Sequence, residues 1–309
     1  MPIKRVVFII LVAVFVSTNS HAQVEDATPS IHLVQRTKPA PEEVFVKFRE
    51  AGMDPADHPL TAEETKKVEY AFSILPPVFK KVLQQHLHSI SFMDRMPNTA
   101  LTSPVPANDS SKMFNIVFRA EILHQTISQW ATWKENTCYI QDTSGKYEVA
   151  IDAGNLDAFV YVLLHEATHV VDAVLTITPH SEEADPLVVP TAFTKQIWKT
   201  RNKPMANIIA PILDSTRFRN GKPIAIAKAP EVYQALGKTP FVSLYSTAAW
   251  FEDLAELLAI YHLTEKLDQP FKVSVKKNGS QVATYEPGQN KKVRKRYRHL
   301  EIFYDNQAR

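Results

Sequence analysis

Four side chains in one ten-residue stretch are of the types that together hold a metal and move a proton. The stretch Leu163-Leu164-His165-Glu166-Ala167-Thr168-His169-Val170-Val171-Asp172 carries an HExxH pattern inside an apolar, helix-compatible run. On a helix, His165 and His169 stack on one face, close enough for two imidazole nitrogens to reach one zinc at about 2.0 to 2.1 Å. Glu166 lies about 100° round the helix from His165, where it can hold a water beside the metal without being a ligand. The chemistry this set implies is hydrolysis. Zinc lowers the pKa of water and polarises a scissile carbonyl, and Glu166 takes the water's proton and passes it to the leaving amine.

A catalytic zinc needs a third protein ligand and an open fourth position. Asp172 shares the histidine stripe, but three ligands spread over its seven residues would span about 10.5 Å of helix axis, too far for one ion. Asp172 therefore reads as a supporting carboxylate, bonding a ring N–H or a neighbouring backbone group. Asp172 and Leu175 also stand where an HExxHxxGxxH pattern has its glycine and third histidine, which disfavours a metzincin. The missing ligand comes from Tyr245-Ser246-Thr247-Ala248-Ala249-Trp250-Phe251-Glu252-Asp253-Leu254-Ala255-Glu256-Leu257-Leu258. Glu252 and Glu256 are one turn apart on a second strongly apolar helix, and buried acids there need partners. With Glu252 as third ligand and Glu256 supporting one of the histidines, both have a role. Asp253 reads as a surface acid.

HExxHxxD followed by a distant ExxAE resembles the gluzincin metallopeptidases, and among them the anthrax lethal factor protease domain and the Mlc titration factor peptidases more than thermolysin. The resemblance implies that Glu252, the first glutamate of ExxAE, is a zinc ligand. It also implies that Tyr245, seven residues earlier, helps stabilise the transition state. It covers 155–172 and 245–256 only, and the interval of 83 residues between His169 and Glu252 is longer than in lethal factor.

The elements that must position these groups follow from periodicity and punctuation. The metal helix runs over about 156–175, and apolar residues round much of its circumference make it a buried element. Gly154 and Asn155 break the preceding strand, with Asn155 as helix cap. Upstream, residues 24–41 read as an exposed lead-in and 41–50 as a helix. Thr61 and Glu64 form a capping box before a helix that Pro76 and Pro77 end, opening another through Leu83 and Leu87. His86 and His88 read as packing or surface residues. Ile90, Phe92 and Met93 suggest a strand, 97–108 a proline-bearing loop, and 114–118 a half-buried alternating strand. Residues 138–151 read as a β-hairpin turning at Asp142 to Gly145. Strands leading into an HExxH helix resemble the zincin arrangement, and that resemblance implies a sheet edge along the cleft that can pair with an extended substrate. An insertion over 176–244 holds His180, an acidic cluster (Glu182, Glu183, Asp185) and short helices around 193–199 and 205–213, and is expected to wall or cover the cleft. The second ligand helix spans about 247–266. A hairpin turning at Lys277-Asn278-Gly279 and a basic helix that reads as solvated (Lys291, Lys292, Arg294, Lys295, Arg296, Arg298) fill 270–304.

Length and composition set the frame. The chain of 309 residues is 45% hydrophobic and 22% charged, enough for a large core and against wholesale disorder. Lys4 and Arg5 ahead of the apolar run Val6 to Val16, with Ser20-His21-Ala22 behind it, read as a signal peptide over 1–22. Removing it takes the formal charge from +2 to zero, which does not indicate a nucleic-acid binder. The single cysteine, Cys138, excludes an intramolecular disulfide and reads as a buried apolar residue. No internal repeat or low-complexity segment stands out.

The expectation is an α+β, zincin-like chain: one catalytic domain over 23–309, with the zinc site between a mixed sheet lobe and a helical lobe. It would be exported, to the periplasm or beyond, and would hydrolyse peptide bonds in a protein or peptide substrate with Zn2+. Two other readings stand beside it: an exported zinc-containing binding or assembly protein of the cell envelope, and a zinc amidase acting on a non-protein wall polymer. The basic C-terminal stretch would suit an anionic envelope surface.

Overall fold

A computed structural model describes residues 33–106, 112–180 and 189–305. The leader and the acidic cluster of the insertion lie outside these residues.

The described part of the expected lead-in, from Leu33 onward, packs instead of lying wholly exposed. Leu33, Val34 and Ala40 are buried, and Arg36 donates to the carbonyls of Leu83, Gln84 and Leu87. That guanidinium therefore satisfies orphan carbonyls at the end of a helix. Helix α1 (Glu42–Glu50) buries Val44, Phe45 and Phe48. Helix α2 (Ala62–Ser73) starts at the expected Thr61/Glu64 capping box, and α3 (Pro77–His86) starts behind Pro76.

Strand β1 (Leu87–Asp94) then enters a four-stranded sheet with β2 (Ala100–Pro104), β3 (Phe114–Arg119) and the short piece Ala56–Asp57. β1 and β3 pair in parallel at the centre, and β2 is the edge, antiparallel to β3. Two expectations are corrected here. Part of the proline-bearing loop is this edge strand, and β3 is buried on both faces because it is central. Helix α4 (Ile127–Asn136) follows, opened by a Thr126/Gln129 capping box.

The expected first hairpin is absent. Tyr139–Ile140 pairs in parallel with Ile224–Ala225, while β4 (Tyr147–Asp152) joins a different partner far along the chain. Helix α5 (Ala158–Leu175) follows β4, with Asp157 rather than Asn155 at its N-cap position and no side-chain cap bond there. It is long and apolar enough to span a membrane, but 78% of it is buried inside the fold. The rings of Phe92, Phe118 and Phe159 meet at centroid distances of 5.5 and 5.0 Å, which seats α5 on the parallel strands.

The described part of the insertion is mostly irregular. Residues 193–197 form turns before a short strand at Trp198–Thr200, and only Pro211–Asp214 of the second expected helix is helical. Helix α6 (Ala229–Leu236) ends it, and α7 (Trp250–Lys266) crosses α5. Strands β5 (Lys272–Lys277) and β6 (Ser280–Tyr285) form the expected hairpin, with positive φ at both Asn278 and Gly279. That is the conformation a two-residue primed turn requires. β5 also pairs with β4, completing a three-stranded sheet.

The basic helix is shortened to Lys291–Arg294 followed by 3-10 turns, and Arg296 is buried, not solvated. One continuous buried cluster extends from Leu33 to Phe303. The whole is a mixed α+β fold of helices and several small sheets.

Candidate metal centre

Helices α5 and α7 bring the expected donor set together. The ligand atoms of His165, His169 and Glu252 lie within 4.8 Å of one another. Glu252 Oε2 is 2.9 Å from His165 Nε2 and 3.6 Å from His169 Nε2. Two ligands at zinc bond lengths and a tetrahedral angle are about 3.3 Å apart, so these contacts have the size of the edges of a zinc polyhedron. The imidazoles meet nearly edge to face at 4.9 Å, which aims both Nε2 atoms at the same carboxylate. Two histidines and one carboxylate also match a catalytic zinc donor set in kind.

Charge is distributed accordingly. Burial disfavours a proton on His165, but Glu252 and Glu256 outweigh it and push the imidazole up to about 10. Burial would likewise raise Glu252, yet its bonds to His165 and His169 hold it well below the usual carboxylate range. A zinc ion would displace the His165 proton, so metal uptake at this donor set is linked to proton release.

Glu256 stands where expected, behind a histidine. Its Oε1 approaches His165 Nδ1 to 3.1 Å, at an angle too bent for a full hydrogen bond, and neither atom has a hydrogen-bond partner among the described residues. The Ser243 hydroxyl donates to Glu256 Oε2 at 2.6 Å. Burial works to raise Glu256, but Lys134 and His165 hold it down at about 2.

Tyr245 lies in a 3-10 turn ahead of α7, stacked on His165 at a centroid distance of 5.7 Å. Its hydroxyl donates to Glu252 Oε1 at 2.9 Å, and burial with the nearby carboxylates pushes its pKa up, keeping it a donor. Asp172 takes the second of its two expected roles. It accepts from the Thr178 backbone and hydroxyl and touches neither metal-facing ring, which braces the chain as it leaves α5. His180 turns towards Asp172 as well, its Nε2 lying 3.0 Å from the main-chain oxygen, outside the donor triad.

Asp253 is a correction. It is fully buried, held by both guanidinium nitrogens of Arg296 at 2.8 and 2.6 Å and by the Trp198 indole at 2.8 Å. This ties α7, the insertion and the C-terminal segment together one residue from Glu252. Cys138 is buried as expected, and burial pushes its thiol up.

All three donors and Glu166 open on a cleft of about 870 Å³. β2 lines one side with Ala100, Leu101 and Thr102, and the insertion supplies Thr178, Pro179, His180 and Arg201 on another. Arg201 also stacks over Phe251, and its carbonyl accepts from Trp250 N at the start of α7. Thr102 is a site residue that sequence reasoning missed: its hydroxyl donates to Glu166 Oε2 at 2.6 Å. The alternation of strand β2 was hidden among Pro97, Pro104 and Pro106. Lys134 was missed too, although the Thr126/Gln129 capping box announces its helix.

The chain matches no protein-family model, no curated protein and no solved structure. The likeness to gluzincins therefore rests on the site residues.

Proposed function

We propose that this chain is a zinc-dependent peptidase with a zincin-like arrangement, its metal held by His165, His169 and Glu252. One observation carries the reading: donor atoms from two helices, 83 residues apart between His169 and Glu252, converge within 4.8 Å beside a glutamate, Glu166, that is not one of them. A purely structural zinc has no use for that glutamate.

When bound, zinc would supply Lewis-acid polarisation of the substrate carbonyl and a lowered water pKa. Glu166 takes the proton of the attacking water and delivers it to the leaving amine, with Thr102 fixing its carboxylate rotamer. Tyr245 turns its hydroxyl from Glu252 to the developing oxyanion. β2 leaves its outer edge unpaired among the described residues, so an extended substrate can add to it as a further strand. The leader-like character of residues 1–22 supports export of this activity.

Purified protein is expected to hold zinc stoichiometrically and to cleave members of an unbiased peptide library. Glu166→Gln should keep the metal and lose on the order of 10²–10⁴ in turnover. Glu252→Ala should lose metal as well. Wild type without zinc, or E166Q cleaving at the wild-type rate, would overturn the assignment. Zinc-loaded protein that leaves every peptide intact would move the substrate to a non-peptide amide.

A further inference from the structure

Helix α4 contributes no donor to the triad, yet it carries the cation nearest to two of the site residues. Lys134 Nζ lies 3.5 Å from Glu256 Oε1, the oxygen that faces His165 Nδ1, and 4.0 Å from the centroid of the Tyr245 ring. The Trp130 ring, 5.1 Å away on the same helix, flanks the ammonium on another side. The Lys134 side chain keeps only 22% of its exposure, so these contacts form in a partly dry setting where charge interactions are screened little.

The requirement for such a cation follows from Glu256. Its side chain is 3% exposed, and a buried carboxylate is costly unless a charge and hydrogen bonds compensate it. Ser243 gives one hydrogen bond, and the imidazole of His165 can give another. Among the described residues Lys134 supplies the ammonium in contact with Glu256, on the same carboxylate oxygen that faces His165 Nδ1. The same ammonium lies against the electron-rich Tyr245 ring, which also packs on the rings of His165 and Phe218. One lysine thus touches both the carboxylate that steadies a ligand histidine and the ring that carries the hydroxyl donor.

We propose that Lys134 is a positioning residue of the metal centre: its ammonium holds Glu256 against His165 and Tyr245 beside Glu252, presetting both before metal and substrate bind. This inference rests on the zinc peptidase reading. It assigns Lys134 no contact with substrate and no proton transfer.

The test is zinc affinity, measured by chelator competition on the full mature chain, alongside peptide turnover. Lys134→Met should weaken zinc binding about tenfold or more, the usual cost of losing a group that orients a ligand, and lower kcat by a similar factor with KM unchanged. Lys134→Arg, which keeps the charge, should recover part of both losses. Because Lys134 acts through Glu256, zinc should bind the K134M/E256Q double variant no more weakly than E256Q alone. Should K134M fail to fold by circular dichroism, K134Q, which keeps most of the stem, replaces it throughout. Wild-type zinc affinity in the folded Lys134 variant, or losses that simply multiply in the double variant, would overturn the role of Lys134 and leave the peptidase reading standing. Wild type that binds no zinc would overturn both.

Discussion

Three acids within five residues of α7 do three different jobs because a helix turns about 100° per residue. Glu252 faces the cleft with the histidines, Glu256 comes round behind His165, and Asp253 points into the core at Arg296 and Trp198. A surface reading of Asp253 is natural from sequence, since an acid beside two functional acids needs no partner if water covers it. Its actual partner lies 43 residues away in a basic run, a pairing that no local pattern announces. A fully buried, bidentate pair has a definite signature. Asp253→Asn or Arg296→Met alone should destabilise the chain by about 3–5 kcal/mol, because either leaves a buried polar or charged group uncompensated. Replacing both with apolar residues should recover much of that loss. Urea denaturation of the two single variants and the double variant measures this, and additive losses would show that the pair is not a unit.

At the scale of elements, α5 and α7 were legible because each is a long apolar run with polar residues at chemically meaningful spacings. Their partners in the sheets were not. β2 contains or borders three prolines, which usually argue against a strand, but an edge strand tolerates them at its ends, where no ladder bond is lost. Residues 138–151 look like a hairpin from turn chemistry alone. The pairing that wins joins β4 to β5, more than a hundred residues on, and strand pairing at that distance leaves no mark in either segment. The β5–β6 hairpin was legible because its pairing is local and its Asn-Gly turn is specific. The edge strand matters to chemistry through Thr102. Thr102→Val keeps the strand and removes the one side-chain hydroxyl that bonds Glu166 among the described residues. Zinc content should be unchanged while kcat falls about tenfold, the worth of one hydrogen bond to a charged group. An unchanged kcat in T102V would mean that Glu166, the proposed base, is oriented by something else.

Across the whole molecule, the C-terminal segment is a structural clasp more than a solvated tail. Val293, Leu300 and Phe303 are buried, Phe303 packs edge to face on Phe79 of α3, and Tyr304 stacks on His262 of α7. His262 sits at the junction: its Nε2 donates to the Ile74 carbonyl just beyond α2, so its Nδ1 accepts from the Tyr304 hydroxyl at 2.8 Å. Burial lowers its pKa to about 4, assisted by the positive charges of Lys266 and Lys80. The sign is fixed by which state binds the proton. Between the ordinary value of 6.5 and about 4, the unfolded chain protonates this histidine and the folded chain does not. The share of stability that depends on a neutral His262 is therefore lost as pH drops through that window, by about 3 kcal/mol in full, and is insensitive to pH above it. Glu64 titrates in a lower window. Burial would raise it, but Thr61, His58 and His124 hold it at about 2, so its contribution is lost only as pH falls below the ordinary 4.5. Denaturation midpoints at pH 7, 5.5, 4.5 and about 3 separate the two. His262→Gln supplies a donor and an acceptor that do not titrate, and it should flatten the decline between pH 6.5 and 4.5 without touching the steeper loss below. If wild type and H262Q declined in parallel through that window, the clasp would not be the acid-labile joint of the fold.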